Sequence, residues 1–237
     1  MSALVQIEIQ KMIWNRWNIY ACGVKSMAGK SKKQRKRDKC EKIRNKKLVK
    51  EYPWLAPRDW ETGAVKKGYD YSYIYWGWSP GWDKAFGDLY LEELGDAVKR
   101  AGFEKEFHIE EVKEKWGQAR LYCGPINREI EDIIDKYETV SSHICYFCGK
   151  PDVYIINAGW IIPTCFECFR KYYGRTRNEE EIRKFYDECI CDGKEQDDPH
   201  IYESITWYSG NGEVRTVNFP ETVEKIRKRW WKKYGKN

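Results

Sequence analysis

The chain has 237 residues, of which 41% are hydrophobic and 34% charged, so a packed core can form beneath a polar surface. Its 18 Gly and 8 Pro are ordinary numbers, which exclude collagen-like and low-complexity proteins. No apolar run is long enough for a membrane-spanning helix, and the first residues do not resemble a secretory signal. We therefore expect a soluble, cytoplasmic protein, a setting in which cysteines are not paired in disulfides.

The net charge of +6 is unevenly distributed along the chain. Residues 25–50 carry a net charge of +11 and residues 225–237 carry +7, whereas residues 51–224 carry −13. A run of like charge without apolar periodicity is typical of a solvated arm, of a localisation or protein-docking segment, or of a segment that binds nucleic-acid phosphates. The candidate nucleic-acid-binding residues are Lys32, Lys33, Arg35, Lys36, Arg37, Lys228, Arg229, Lys232 and Lys233.

The first 26 residues differ from the rest of the chain. They show no clear periodicity, and Met27 opens directly into the basic segment as a natural start would. We hypothesise that residues 1–26 are a mis-called extension, and we expect residues 1–50 to be a basic arm, disordered or helical.

Residues 51–140 have the pattern of an aromatic-rich α+β domain. Four tyrosines alternate at period two between Tyr69 and Tyr75, which predicts a strand. Ser79-Pro80 predicts the start of a helix that ends near Gly102. Two strands are expected next, near Ile109 and Leu121, and then a second helix after Pro125. The predicted apolar faces of the two helices contain Phe86, Leu89, Tyr90, Leu94, Ala97, Val98 and Ala101, and Ile126, Ile130, Ile133, Ile134 and Tyr137.

Two C-x2-C pairs separated by 16 residues form the strongest motif of the sequence, which consists of Cys145, Cys148, Cys165 and Cys168. This spacing predicts one tetrahedral zinc site, because each pair can approach the ion from a tight turn and 16 residues suffice for two short strands. Gly149 suits the positive φ that such a turn needs. Rubredoxin-like iron binding uses a comparable ligand set, and His143 is an alternative ligand. Four thiolates leave no open position for water, so a structural role is favoured over a catalytic one.

The remaining elements complete an α+β fold with a small, mainly antiparallel sheet and packed helices. We expect a four-cysteine zinc ribbon over residues 141–174, inserted before a last segment over residues 175–237. That segment is predicted to hold a helix capped by Asn178 and Glu181, a β-hairpin on both sides of Ser209-Gly-Asn-Gly, and a basic helix after Pro220.

No catalytic pattern is present in the sequence. Its three histidines lie far apart, and no phosphate-binding glycine loop, nucleophile elbow or H-E-x-x-H motif occurs. We therefore expect that the protein is not an enzyme, although the sequence leaves the question of activity open.

The chain contains two distinctive segments, Lys115-Trp-Gly and Gly159-Trp-Ile-Ile-Pro. Together with other segments over about residues 50–228, they resemble an uncharacterised family of zinc-ribbon-containing proteins of bacteriophages and prophages of Gram-positive bacteria, and they are the most specific parts of this resemblance. It implies a phage accessory protein, located in the bacterial host cell, and no assigned activity. The other matching segments begin at Glu51, Pro80, Cys145 and Thr222.

Two functions are consistent with these observations. In the first, a non-catalytic zinc protein binds nucleic acid non-specifically through its basic ends. In the second, the acidic body binds and inhibits or redirects a host protein, as an anti-defence factor would.

Overall fold

The computed structural model describes residues 32–56, 58–59, 61–65, 79–191, 204–208, 214–218 and 220–234. The hypothesised extension over residues 1–26 and the predicted tyrosine strand near residues 69–75 lie outside these residues. The chain divides into two units, Met1–Trp76 and Gly77–Asn237.

In the first unit, the part of the basic arm that the structure describes, residues 32–50, is helical. Helix α1 spans Lys32–Glu51 and ends before Pro53, which lacks an amide hydrogen and begins a short 3-10 turn, Pro53–Leu55. Trp54, Leu55 and Ala56 are buried. The basic helix thus leads into a small cluster of buried residues, and Asn45 of the helix itself is also buried.

The second unit begins with a helical segment in three parts. These are the turn Pro80–Trp82, the π-helical turn Asp83–Gly87 and helix α2, Asp88–Arg100. The Ser79 hydroxyl accepts the Trp82 amide hydrogen at 3.1 Å, so the predicted N-cap is confirmed. Burial of Phe86, Leu89, Tyr90, Leu94, Ala97 and Val98 confirms most of the predicted apolar face. Ala101, also predicted for this face, is the C-cap of the helix and is only partly buried.

A β-hairpin and a helix pack against this segment. Strand β1, His108–Lys115, pairs with β2, Gln118–Gly124, and helix α3 spans Arg128–Ser141. Tyr137 of α3 stacks on Tyr90 of α2 with ring centroids 4.3 Å apart. The prediction that Ile126 belongs to the buried face of this helix is wrong, because the N-cap is Asn127 and Ile126 precedes the helix, 51% exposed.

The cysteine segment and the C-terminal segment complete the unit. Strands β3, Tyr154–Asn157, and β4, Ile161–Thr164, form a hairpin that is followed by α4, Phe166–Tyr173, and α5, Glu179–Cys189. Strands β5, Ser204–Tyr208, and β6, Val214–Asn218, form the predicted hairpin before α6, Pro220–Tyr234.

The fold is α+β, as the sequence predicts, with packed helices and small antiparallel sheets. Among the described residues each sheet has two strands, so the hairpins do not merge into one larger sheet. Within the described ranges no helix combines the length and the apolar character needed to cross a membrane.

Candidate metal centre

The structure brings the four cysteines of the C-x2-C pairs together. The sulfurs of Cys145, Cys148, Cys165 and Cys168 all lie within 4.8 Å of one another. The distance between Cys148 Sγ and Cys165 Sγ is 3.7 Å. Sulfur atoms at this spacing can share one metal ion.

The first pair lies in a tight turn between α3 and β3. The Cys145 amide donates to the Lys150 carbonyl at 2.8 Å, and the Gly149 amide donates to the Cys145 carbonyl at 2.9 Å. Gly149 has φ +80, the positive value predicted for this position. These backbone hydrogen bonds define the turn that places the sulfurs of Cys145 and Cys148 close enough to bind the same metal ion.

The second pair lies at the beginning of a helix. Cys165 is the N-cap of α4, and Cys168 lies in its first turn. The Cys165 amide donates to Cys145 Sγ at 3.4 Å, which joins the two pairs directly. A helix N-terminus is an environment that accommodates negative charge, such as that of thiolates bound to a cation. The turn that contains Cys145 and Cys148, which we call the first knuckle, is thus followed by the β3–β4 hairpin and then by helix α4. The sequence pattern does not predict this helix at the second pair.

The four thiols perturb one another's pKa values. Hydrogen bonds with the other three sulfurs, and then burial, raise the pKa of Cys165. Hydrogen bonds with Cys145 and Cys148 raise the pKa of Cys168, and burial raises it further. Hydrogen bonds from Cys145 and the other sulfurs lower the pKa of Cys148. The pKa of Cys145 is lowered as well, so two of the thiols ionise more readily while the other two resist ionisation. A divalent cation among the sulfurs would remove this conflict, since it favours the thiolate form of every ligand.

The helical segment that begins at Pro80 rests directly on the first knuckle. A Cβ atom on Gly81 would lie 2.3 Å from the Cys145 carbonyl oxygen and 2.5 Å from that of Tyr146. The next residue, Trp82, is fully buried and donates its indole hydrogen to the Ile144 carbonyl at 2.9 Å. Only glycine at position 81 permits this approach, so the metal centre is part of the core of its unit.

The end of the β1–β2 hairpin contacts the β3–β4 hairpin, which lies between the two cysteine pairs. Glu114 accepts the Gly117 amide at 2.7 Å and the Trp160 indole hydrogen at 2.8 Å. The Trp160 ring in turn meets the edge of Tyr146 at a centroid distance of 5.2 Å. The Lys-Trp-Gly and Gly-Trp-Ile-Ile-Pro segments, which are the most specific parts of the family resemblance, are therefore neighbours in space.

The alternative ligand His143 does not belong to the cluster, and neither does Cys189, which is not a predicted ligand. His143 is half-buried, and burial lowers its pKa to about 4, so its ring is neutral at physiological pH. Cys189 is buried with Phe169 and Ile182 in a separate core between α4 and α5. Within the part of the chain that the structure describes, the four cysteines are the only group of three or more His, Cys, Asp or Glu side chains close enough to hold a metal.

The predicted nucleic-acid-binding residues have different surroundings. Arg35 and Lys36 are exposed on α1, and Lys228, Lys232 and Lys233 are exposed on α6, whereas the side chains of Lys32, Lys33 and Arg37 lie outside the described residues. Arg229 lies 2.7 Å from Asp88, in an ion pair between α6 and the start of α2. Arg229 therefore contributes to packing, which the charge pattern alone does not indicate.

Chemically, four thiolates fill a tetrahedral coordination shell and leave no position for a substrate or for an activated water. The site can hold a metal ion, and zinc is compatible with its donors. Comparison of the chain with family models, with curated proteins and with solved structures gave no match.

Proposed function

We propose that this is a non-catalytic, zinc-binding accessory protein of a bacteriophage or prophage that binds nucleic acid non-specifically in the cytoplasm of its host. The four-cysteine cluster supports a structural zinc ion, because its donors close the coordination shell. The role of the ion is to hold the knuckle, the β3–β4 hairpin and α4 together.

The charge and exposure of α1 carry the nucleic-acid part of the proposal. Its 20 residues contain eleven Lys or Arg against three acidic residues. Cations are exposed in every turn whose side chains are described, and they include Arg35, Lys36, Lys39, Lys42, Lys46 and Lys47. A helix of this length spans about 30 Å, a distance over which duplex DNA presents roughly one phosphate charge per 1.7 Å. Counterion release from such a backbone favours binding without any base contact.

Elemental analysis of the purified protein tests the metal site, and we expect about one zinc per chain. Cys148→Ser should lower both metal content and stability, whereas Cys123→Ser, which changes a thiol outside the cluster, should retain the metal. Protein that contains neither zinc nor iron when it is purified without a chelator would refute the site.

Deletion of residues 25–50 tests the nucleic-acid contact. The deletion removes a net charge of +11 and leaves a chain of net charge −5. We expect the full chain to bind with micromolar or weaker affinity that falls steeply with added salt, and the deletion variant to bind much more weakly. Equal binding by both proteins would move the contact to α6, and no binding by either would refute the proposal.

A second candidate function, recognition of a host protein, is favoured by Trp116. This residue is 69% exposed at the tip of the β1–β2 hairpin and has φ +52, a conformation that bulky residues rarely adopt. Exposed tryptophans contribute strongly to protein interfaces. A pull-down from host lysate that loses its specific partner on Trp116→Asn would support this function, and identical recovery with both proteins would exclude Trp116 from it.

A further inference from the structure

We infer that Trp231 is a stacking surface for a nucleobase and that the exposed face of α6 consequently prefers single-stranded to duplex nucleic acid. This inference rests on the proposed function, and it adds to the contact through α1 a second contact through α6 that selects one form of nucleic acid.

Helix α6 is fixed to its unit by one face. Ile226 is fully buried, and the Arg227 guanidinium binds the Asp152 carboxylate through two nitrogens, at 2.7 and 2.9 Å. The pair between Arg229 and Asp88 adds a second polar contact. The orientation of the helix is therefore defined, and so is the face that it leaves to solvent.

The solvent face combines one large aromatic ring with lysines. Trp231 is 50% exposed. Lys228 lies one helical turn before it, with 76% of its side chain exposed, and the adjacent Lys232 is exposed as well. The ion pair of Lys228 with Glu224 is a surface contact at 3.2 Å, of a kind that contributes little to stability, so a phosphate can replace the carboxylate.

The neighbouring indole supports the ring of Trp231. Trp230 is half-buried, and its ring meets that of Trp231 at 5.0 Å with an interplanar angle of 85°. This edge contact stabilises one position of the Trp231 ring. The exposed part of the Trp231 ring, with lysines beside it, suits a ligand that offers a flat π surface and negative charge together.

Single-stranded nucleic acid has this combination of properties. Its bases can leave their neighbours and stack on an aromatic side chain while lysines bind the adjacent phosphates. In a duplex the base faces already stack on one another, so insertion of an indole requires unstacking. Stacking by Trp231 should therefore favour the single strand selectively, whereas the lysines should favour both forms.

The test is a titration of the full chain with a labelled oligothymidylate and with a duplex of equal length, followed by fluorescence anisotropy. Trp231→Ala should weaken binding of the oligothymidylate about five- to a hundredfold, which corresponds to one stacked base. Binding of the duplex should change less than about twofold. Trp231→Phe should restore most of the lost affinity, because an aromatic ring is retained. Trp116→Ala is the matched control, since it removes another exposed indole, and it should change neither titration.

The outcomes separate this inference from the proposed function. If the unmodified chain binds neither probe, the proposed function fails and the inference with it. If the chain binds but Trp231→Ala has no effect, or affects both probes alike, only the stacking role is refuted. If Trp231→Ala instead releases the chain from anionic phospholipid vesicles and leaves oligothymidylate binding intact, the face is a membrane contact and the inference is overturned.

Discussion

Replacement of Gly81 by alanine tests whether the helical segment and the metal centre form one packed structure. The new Cβ would lie 2.3 Å from the Cys145 carbonyl oxygen, 2.5 Å from the Tyr146 carbonyl oxygen and 2.8 Å from the Gly149 nitrogen. All three atoms belong to the backbone of the knuckle, so no side-chain rotation can relieve the overlap. Either the knuckle or the helix must move by about 1 Å to restore ordinary van der Waals contact.

The expected cost depends on the contacts that such a movement would disturb. Overpacking of a core typically costs about 1–3 kcal/mol. The same shift would lengthen the 3.2 Å hydrogen bond from the Gly81 amide to the Tyr146 carbonyl and the 2.9 Å hydrogen bond from Trp82 to Ile144, each of which contributes about 1 kcal/mol. We therefore expect Gly81→Ala to lower the free energy of unfolding by about 3 kcal/mol or more.

Urea denaturation of the zinc-loaded protein measures this change, and competition with a chelator measures the accompanying change in zinc affinity. Gly87→Ala is the matched control in the same helical segment. Its nearest new neighbour, at 2.9 Å, is a carboxylate oxygen at the flexible end of the Asp83 side chain. We expect this control to change stability by less than about 1 kcal/mol, with a gain from helix propensity. If Gly81→Ala were as stable as Gly87→Ala, the close contact between the segment and the knuckle would be refuted.

Three further substitutions test other features, and each is measured by chemical denaturation. Trp116→Asn should raise the free energy of unfolding by about 0.5 kcal/mol, because asparagine tolerates a positive φ in a two-residue hairpin turn better than tryptophan does. This gain exceeds the loss of the exposed contact between the Trp116 ring and the Lys115 amine. A loss of stability would contradict the backbone strain inferred at position 116. Asn178→Ala should cost about 1 kcal/mol through loss of the capping box at the start of α5, and no loss would show that the cap is not needed. Burial, opposed by Arg120, raises the pKa of Glu138 from 4.5 to about 7. Between these pH values the folded state keeps a proton that the unfolded state loses, so the free energy of unfolding falls as the pH rises. Glutamine does not titrate, so the stability of Glu138→Gln relative to the unmodified protein should increase by about 3 kcal/mol as the pH rises over this interval. If the free energies of unfolding of the two proteins changed in parallel with pH, the raised pKa would be contradicted.

Local patterns in the sequence predict the elements of the second unit well. The apolar face from Phe86 to Val98 has helical periodicity, and it is buried because that periodicity places the side chains on one side of the helix. The capping box at Asn178 is equally local, since its two hydrogen bonds join residues three positions apart. The prediction for Ile126 is wrong because it places the start of the helix at Pro125, although Asn127 is the better N-cap.

The spacing of the cysteines predicts the metal ligands but not their surroundings. The approach of Gly81 to the knuckle and the hydrogen bond from Trp160 to Glu114 each join residues more than 40 positions apart. No periodicity or turn signal encodes such contacts, because they depend on how whole elements pack. The sequence does not predict the start of α4 at the second pair for a different reason. Its N-cap is Cys165, and cysteine is not among the residues that usually cap a helix.

The bond between Arg227 and Asp152 links the C-terminal helix to the segment that follows the first pair of cysteines. Asp152 has φ +61 and lies in the short link between the first knuckle and β3, so its position depends on a turn that zinc would stabilise. Loss of zinc would then loosen the hold on α6, and by thermodynamic reciprocity a ligand that immobilises α6 would tighten the binding of zinc. If α6 contacts nucleic acid, as we propose, then zinc limitation or thiol oxidation would weaken that contact without any change in the lysines that make it.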